Sequence, residues 1–187
     1  MASTYEALLL AQVAYLQATA MPISTQKVTT TTASVTFSSI SANFNHLSVM
    51  WNGRGDSAVA TVQFMMQLNG NTGASAYTYQ RMEASTNAAV SGFNTGGGVA
   101  QIQVGTMTAA SATAFYTSCG QIVLPYASDA TNFANAVGIG YGPSSATAAF
   151  VGVYGGLLAV SGAISSIKLF PATGNFATGE FSLYGWV

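Results

Sequence analysis

From residue 26 onward, hydrophobic and polar positions alternate with a period of two, in runs broken by Gly, Asn and Ser about every 8 to 15 residues. The clearest run is Ala58 to Leu68. Ala58, Ala60, Val62, Phe64, Met66 and Leu68 share one face, while Thr61, Gln63 and Gln67 take the other, as a strand covering a core on one side requires. The closing stretch repeats the pattern: Ile164 to Phe170 and Phe181 to Val187 read as strands joined by a Pro/Gly/Asn connection. Phe181, Leu183 and Val187 fall on one side, and Ser182 and Tyr184 on the other. Further runs are Gln26 to Thr32, Ser34 to Phe37, Leu47 to Trp51, Tyr77 to Glu83, Ala100 to Met107, Phe115 to Leu124, Phe133 to Ile139 and Ala146 to Tyr154. Together they predict roughly ten short strands with no long helix among them, an all-β, jelly-roll-like antiparallel β-sandwich over residues 23–187. Asn69-Gly70-Asn71-Thr72-Gly73 is a strong turn, since Asn and Gly tolerate positive φ. Gly96-Gly97-Gly98 reads as a loop and not as a phosphate cradle, because no Lys-Ser/Thr follows it.

Residues 1–22 have a different texture and predict an N-terminal helical arm for attachment or oligomerisation. Ser3-Thr4-Tyr5-Glu6 matches a capping box, in which each side chain bonds the other residue's backbone amide. Ala7 to Ala18 is rich in helix-forming Ala, Leu and Gln, with Tyr5, Leu8, Leu9, Gln12, Tyr15 and Leu16 as the candidate contact residues. Met21-Pro22 discourages continuation. A secretory signal is disfavoured by the missing positive n-region and by Glu6. A membrane span is disfavoured by Gln12, Gln17 and Thr19. An amphipathic helix that packs on a neighbouring subunit or scaffold is the favoured reading.

Charge then sharpens the picture. Only 5% of the 187 residues are charged, against about 25% in ordinary soluble proteins, and the net charge is −1. Half the chain is hydrophobic, which argues against disorder. A free monomer so poor in charge has little electrostatic repulsion against self-association. Cover by copies of itself or by a larger assembly is therefore expected; a cell-surface β protein with hydroxyl-rich faces is the alternative. Lys27, Arg54, Arg81 and Lys168 are scattered singly, so no basic stripe exists for nucleic acid. The lone Cys119 excludes an intrachain disulfide and, inside an apolar run, reads as a buried structural thiol.

No catalytic constellation stands out. His46 is the single histidine and reads as a hydrogen-bonding residue at a strand start. Asp56, Glu83, Asp129 and Glu180 could pair for glycoside hydrolysis, but scattered acids in solvated turns explain them as well. Arg54-Gly55-Asp56 spells an adhesion tripeptide within what reads as a plain turn, with Arg54 expected to pair with a carboxylate. Phe37, Phe64, Phe170 and Phe181 are expected in the core. Tyr77, Tyr79, Tyr141, Tyr154 and Trp186 are candidates for the core or a subunit interface, or for a sugar-stacking patch if the domain binds glycans. No cofactor or metal is expected.

In this order, several segments resemble a family of small tailed-bacteriophage virion proteins (tail, minor tail or head-decoration). They are Val35-Thr-Phe-Ser-Ser-Ile40, Phe44-Asn-His-Leu47, Gly53-Arg54, Leu68-Asn-Gly-Asn-Thr-Gly73 with Tyr77 behind it, Leu124-Pro-Tyr-Ala127, and Ile164 to Gly185. The likeness covers about residues 26–187. It implies a β-sandwich displayed on the particle, commonly as an oligomer, without enzymatic activity. Three departures are Asn71 where the family often has Asp, the scarcity of charge, and the N-terminal segment. The expectation is a capsid decoration or cement protein: a homo-oligomer, with a trimer favoured, bound to the major capsid protein at the virion surface. The alternative is a tail or tail-fibre protein touching host glycans. Deletion of residues 1–21 should leave a folded β domain that no longer joins its assembly, as read by circular dichroism and by incorporation into particles.

Overall fold

The computed structural model describes residues 20–85 and 91–187, and among the described residues every regular element is a strand. In chain order these are β1 (Met21–Val28), β2 (Val35–Phe37), β3 (His46–Gly55), β4 (Thr61–Leu68), β5 (Tyr77–Ser85), β6 (Ser91–Val99), β7 (Ile102–Thr108), β8 (Ser118–Leu124), β9 (Phe133–Ser145), β10 (Ala148–Ser161), β11 (Ile167–Pro171) and β12 (Phe176–Trp186). They form an eight-stranded sheet, ordered β1-β12-β3-β8-β9-β10-β5-β6, and a four-stranded sheet, ordered β2-β11-β4-β7. All pairings are antiparallel and several are nested: β1 with β12, β2 with β11, β3 with β8, β4 with β7. This is consistent with a β-sandwich.

The inner faces of the two sheets share one core. Trp51 of β3 stacks on Phe64 of β4 with ring centroids 4.6 Å apart, and Phe64 in turn meets Phe176 and Phe181 of β12 at 6.0 and 6.1 Å. Val62, Phe64, Met66 and Leu68 are all buried, as their alternation predicts, whereas Ala58 and Ala60 precede β4 and are exposed. The turn after β4 uses left-handed Asn69 and Gly70 (φ 53° and 65°). Its Asn69 amide fastens it to the start of the closing segment: Nδ2 donates to the Ala163 carbonyl, and Oδ1 accepts from the Ser165 and Ser166 amides.

Strand β9 explains how closely the sheets meet. Its inward positions are Ala134, Ala136, Gly138, Gly140 and Gly142, and its outward ones include Val137, Ile139 and Tyr141. A Cβ on Gly138 would overlap the Val104 carbonyl of β7. The Trp51 indole occupies the space left by three glycines: a Cβ on Gly105, Gly120 or Gly140 would lie 3.0, 2.9 or 3.4 Å from it. Small inward residues thus admit the backbone of β7, which is buried along its whole length.

Several boundaries differ from the sequence reading. Met21 and Pro22, assigned to the arm, belong to β1 and face Gly185 and Tyr184; a proline is tolerated there because β1 is an edge strand. The rest of the arm, with Tyr5, Leu8, Leu9, Gln12, Tyr15 and Leu16, lies outside the described residues. Gly96-Gly97-Gly98 is not a loop but part of β6. Gly97 and Gly96 pair with Thr78 and Tyr79, and the register shift beside them falls at Gly98, whose φ is 65°. Phe115 precedes β8 in a left-handed loop conformation (φ 68°). Gly138→Ala should destabilise the fold by about 1–3 kcal/mol in urea unfolding, because neither backbone at that contact can move aside. Gly155→Ala, where a Cβ meets nothing within 4 Å, should change stability by less than about 0.5 kcal/mol.

Candidate interaction face

Because strand side chains alternate, the inward glycines of β9 place its bulky residues on the opposite side of the larger sheet. The cross-strand registers extend that choice over five neighbouring strands, β3-β8-β9-β10-β5. One row runs Met50, Gln121, Ile139, Val153, Met82. The next runs Asn52, Cys119, Tyr141, Val151, Ala84, and a third Ser48, Val123, Val137, Gly155, Gln80. None of these positions is charged. Ile139, Tyr141 and Val151 are 54%, 51% and 49% exposed, so the apolar surface is continuous and open. A shallow concavity of about 620 Å³ runs from it onto β12, lined by Met50, Asn52, Gln121 and Tyr141 on one side and by Glu180 and Tyr184 on the other. The same face turns polar on β12 and β1, where Glu180 and Lys27 form an ion pair at 3.2 Å.

At one end of this face stands the loop before β8. Arg54 braces it, donating from Nη1 to the Thr113 and Tyr116 carbonyls (3.0 and 2.8 Å) and from Nη2 to those of Ala110 and Ala112 (3.2 and 2.9 Å). The carboxylate partner expected for Arg54 is replaced by four backbone acceptors, and the adhesion tripeptide starts inside β3 rather than in a turn. Phe115, at the loop's tip, is 99% exposed.

His46 and the carboxylates of Asp56, Asp129 and Glu83 are committed elsewhere. His46 opens β3, its Nδ1 accepting from the Tyr126 amide at 3.2 Å, in line with the sequence reading. Asp56 accepts from the Asn175 amide and side chain at 2.6 and 2.9 Å, which holds its carboxyl below the usual range. Asp129 closes its own turn through the Asn132 side chain and the Thr131 amide, with the same effect. Glu83 is not in a solvated turn: it accepts from the Tyr154 hydroxyl at 2.6 Å and from Thr106, and pairs with Arg81 at 3.3 Å. Arg81 also donates to Gln103 Oε1 at 2.8 Å. Among the described residues no two acids share a partner, and no cluster of His, Cys, Asp and Glu could hold a metal.

Other expectations are corrected. Cys119 is exposed on the interaction face, because outward positions of β8 face solvent. Of the aromatic residues read as core or interface, Tyr77 and Tyr154 are core, Tyr77 bonding the Leu68 backbone and Tyr154 bonding Glu83. Phe170 is half-buried beneath the Lys168 ammonium, 5.4 Å from its ring centre. Tyr141 is the interface candidate that lands on the open face. The sequence reading missed Val137, Ile139, Val151 and Val153, which look like core. The signal was the Gly138-Ile139-Gly140-Tyr141-Gly142 alternation, in which small residues on one side force the large ones to the other.

Burial first, and the bond to the Glu83 carboxylate second, push the Tyr154 phenol well above its ordinary value of about 10. The fold holds the neutral phenol, so this contribution is intact below pH 10 and is lost as pH rises beyond it. The thermal midpoint should therefore fall above about pH 10. Tyr154→Phe, less stable at neutral pH by about 1–2 kcal/mol, should show a shallower alkaline fall.

No family model and no curated protein matches this chain. Among solved structures, an exo-inulinase from Aspergillus awamori is similar at a TM-score of 0.44 and 11% identity over 89% of this chain. The chain spans 29% of that enzyme's length. The CspB protease of Clostridium perfringens gives a TM-score of 0.14 and 9% identity, over 83% of this chain and 25% of the protease.

Proposed function

We propose that this chain is a non-enzymatic structural protein of a tailed-bacteriophage virion, a capsid decoration or cement subunit that oligomerises on the head and stabilises it. The observation that carries the reading is the open, uncharged, apolar face of the larger sheet. A surface of that kind is expected of a subunit that functions covered. The engagement of every described acid in internal or surface bonds, and the segment resemblance to phage virion proteins, support it. The nested strand pairs support the finer description of a jelly-roll-like fold. In this reading the subunit assembles as a homo-oligomer on the major capsid protein, and the helical arm of residues 1–20 provides the attachment. Each Å² of apolar surface covered contributes about 25 cal/mol. A subunit that binds only assembled lattice stabilises that lattice by linkage.

One observation favours a second reading, a tail protein that touches host glycans. Tyr141 and Tyr184 line the same concavity as Asn52, Gln121, Glu180 and Ser182, and aromatic rings beside amide and carboxylate groups suit a sugar. Quantitative mass spectrometry of purified virions separates the two. Hundreds of copies per particle are expected for decoration, a few dozen or fewer would favour the tail, and absence from every virion would overturn both.

A further inference from the structure

We propose that the occupant of the apolar face is another copy of this chain, presenting the same face. The inference rests on the structural-subunit reading and names the partner of that surface.

Three observations lead to a copy rather than to a different partner. The first is size. The three cross-strand rows hold eight apolar side chains that are each 37% to 54% exposed, on the order of 700 Å² of surface, close to the roughly 800 Å² per partner of a standard interface. Monomers rarely leave that much apolar surface open. The second is charge. The three cross-strand rows contain no ionic group, so a charged partner would bury ions without counter-ions, at heavy cost. This chain, with 5% charged residues, meets that requirement when it meets itself. The third is shape. The five strands form one continuous sheet, and its bulky residues stand in register across four of them, Met50 and Ile139 to Val153 and Met82. Such a surface can interdigitate with a second one as the two layers of a sandwich do. Lys27 and Glu180 at its border then form the polar rim that interfaces usually have.

Cys119 lies in the row beside the central one, next to Tyr141, is exposed in the lone chain, and so reports on cover without any substitution. The test measures mass by sedimentation velocity and thiol reactivity with a maleimide on the full-length protein, for wild type and for Ile139→Asp. Circular dichroism verifies that the variant folds. Wild type should be an oligomer in which Cys119 reacts at least about tenfold more slowly than in the urea-unfolded chain. Ile139→Asp should raise the dissociation constant at least about 30-fold, as loss of a central anchor does, and restore fast labelling. Val59→Asp, at an exposed apolar site off this face, should change neither quantity.

A wild-type monomer with fast labelling overturns the proposal, as does an oligomer that labels fast or is unchanged by Ile139→Asp. If deletion of residues 1–19 uncovers Cys119 in a protein that was monomeric throughout, the occupant is the chain's own N-terminal segment and the proposal fails. A monomer that binds a saccharide array fails it in favour of glycan recognition. Failure of the functional reading looks different: the oligomer and its protected thiol persist, and the protein is missing from virions.

Discussion

The close approach of β7 to the inward glycines of β9 is the contact on which the rest of the structure depends. With Gly138 against the Val104 carbonyl, the two sheets meet nearly backbone to backbone at that point. Thickness is recovered farther along by Trp51, Phe64, Phe176 and Phe181. The Trp51 indole fits there only because Gly105, Gly120 and Gly140 carry no side chain. Its Nε1–H is left buried without an acceptor, at a cost of about 1–3 kcal/mol, which the packing of the ring against both sheets must outweigh. A period-two strand has two faces. When one is emptied for such an approach, the bulk of the sequence must stand on the other.

The few ionic groups follow from the same economy of surface. Arg54 has four loop carbonyls as partners, Asp56 and Asp129 tie down turns, and Glu83 and Arg81 join Gln103, Thr106 and Tyr154 in a network beside β7. All of these charges are engaged by backbone groups or by polar side chains of the fold. Little remains to keep copies of the molecule apart, so the internal use of charge leaves the proposed self-association with little electrostatic repulsion to overcome.

This division also explains what the sequence could reveal. Where large residues point inward, alternation located the buried face, as at Val62 to Leu68 in β4 and at Phe181 and Leu183 in β12, although β12 starts earlier, at Phe176, and Val187 is exposed. Asn69-Gly70 was legible because turn chemistry is local. Strand β6 was hidden because three glycines signal a loop unless a partner strand is known, and that partner, β5, is set by tertiary pairing. Arg54 was misassigned because its acceptors are carbonyls some sixty positions away, which no local pattern marks. The outward face failed for a deeper reason. Alternation gives the two faces of β9 but not which one the core takes, and hydrophobicity alone points to the wrong one.

The fold itself does not require that outward face to be apolar. The glycines demand only that residues opposite them be absent from the inside, and polar side chains would satisfy this equally. On the same side of the same sheet, β1 and β12 do use them: Thr25 meets Ser182 at 2.9 Å, and Lys27 meets Glu180. From β3 to β5 the corresponding positions instead hold Met50, Ile139, Val153 and Met82, aligned by register. Exposed apolar residues scattered singly need no explanation. A block of them in register, bordered on the β12 side by polar positions that show the sheet tolerates the alternative, is not required by folding, and the proposed cover gives it a reason.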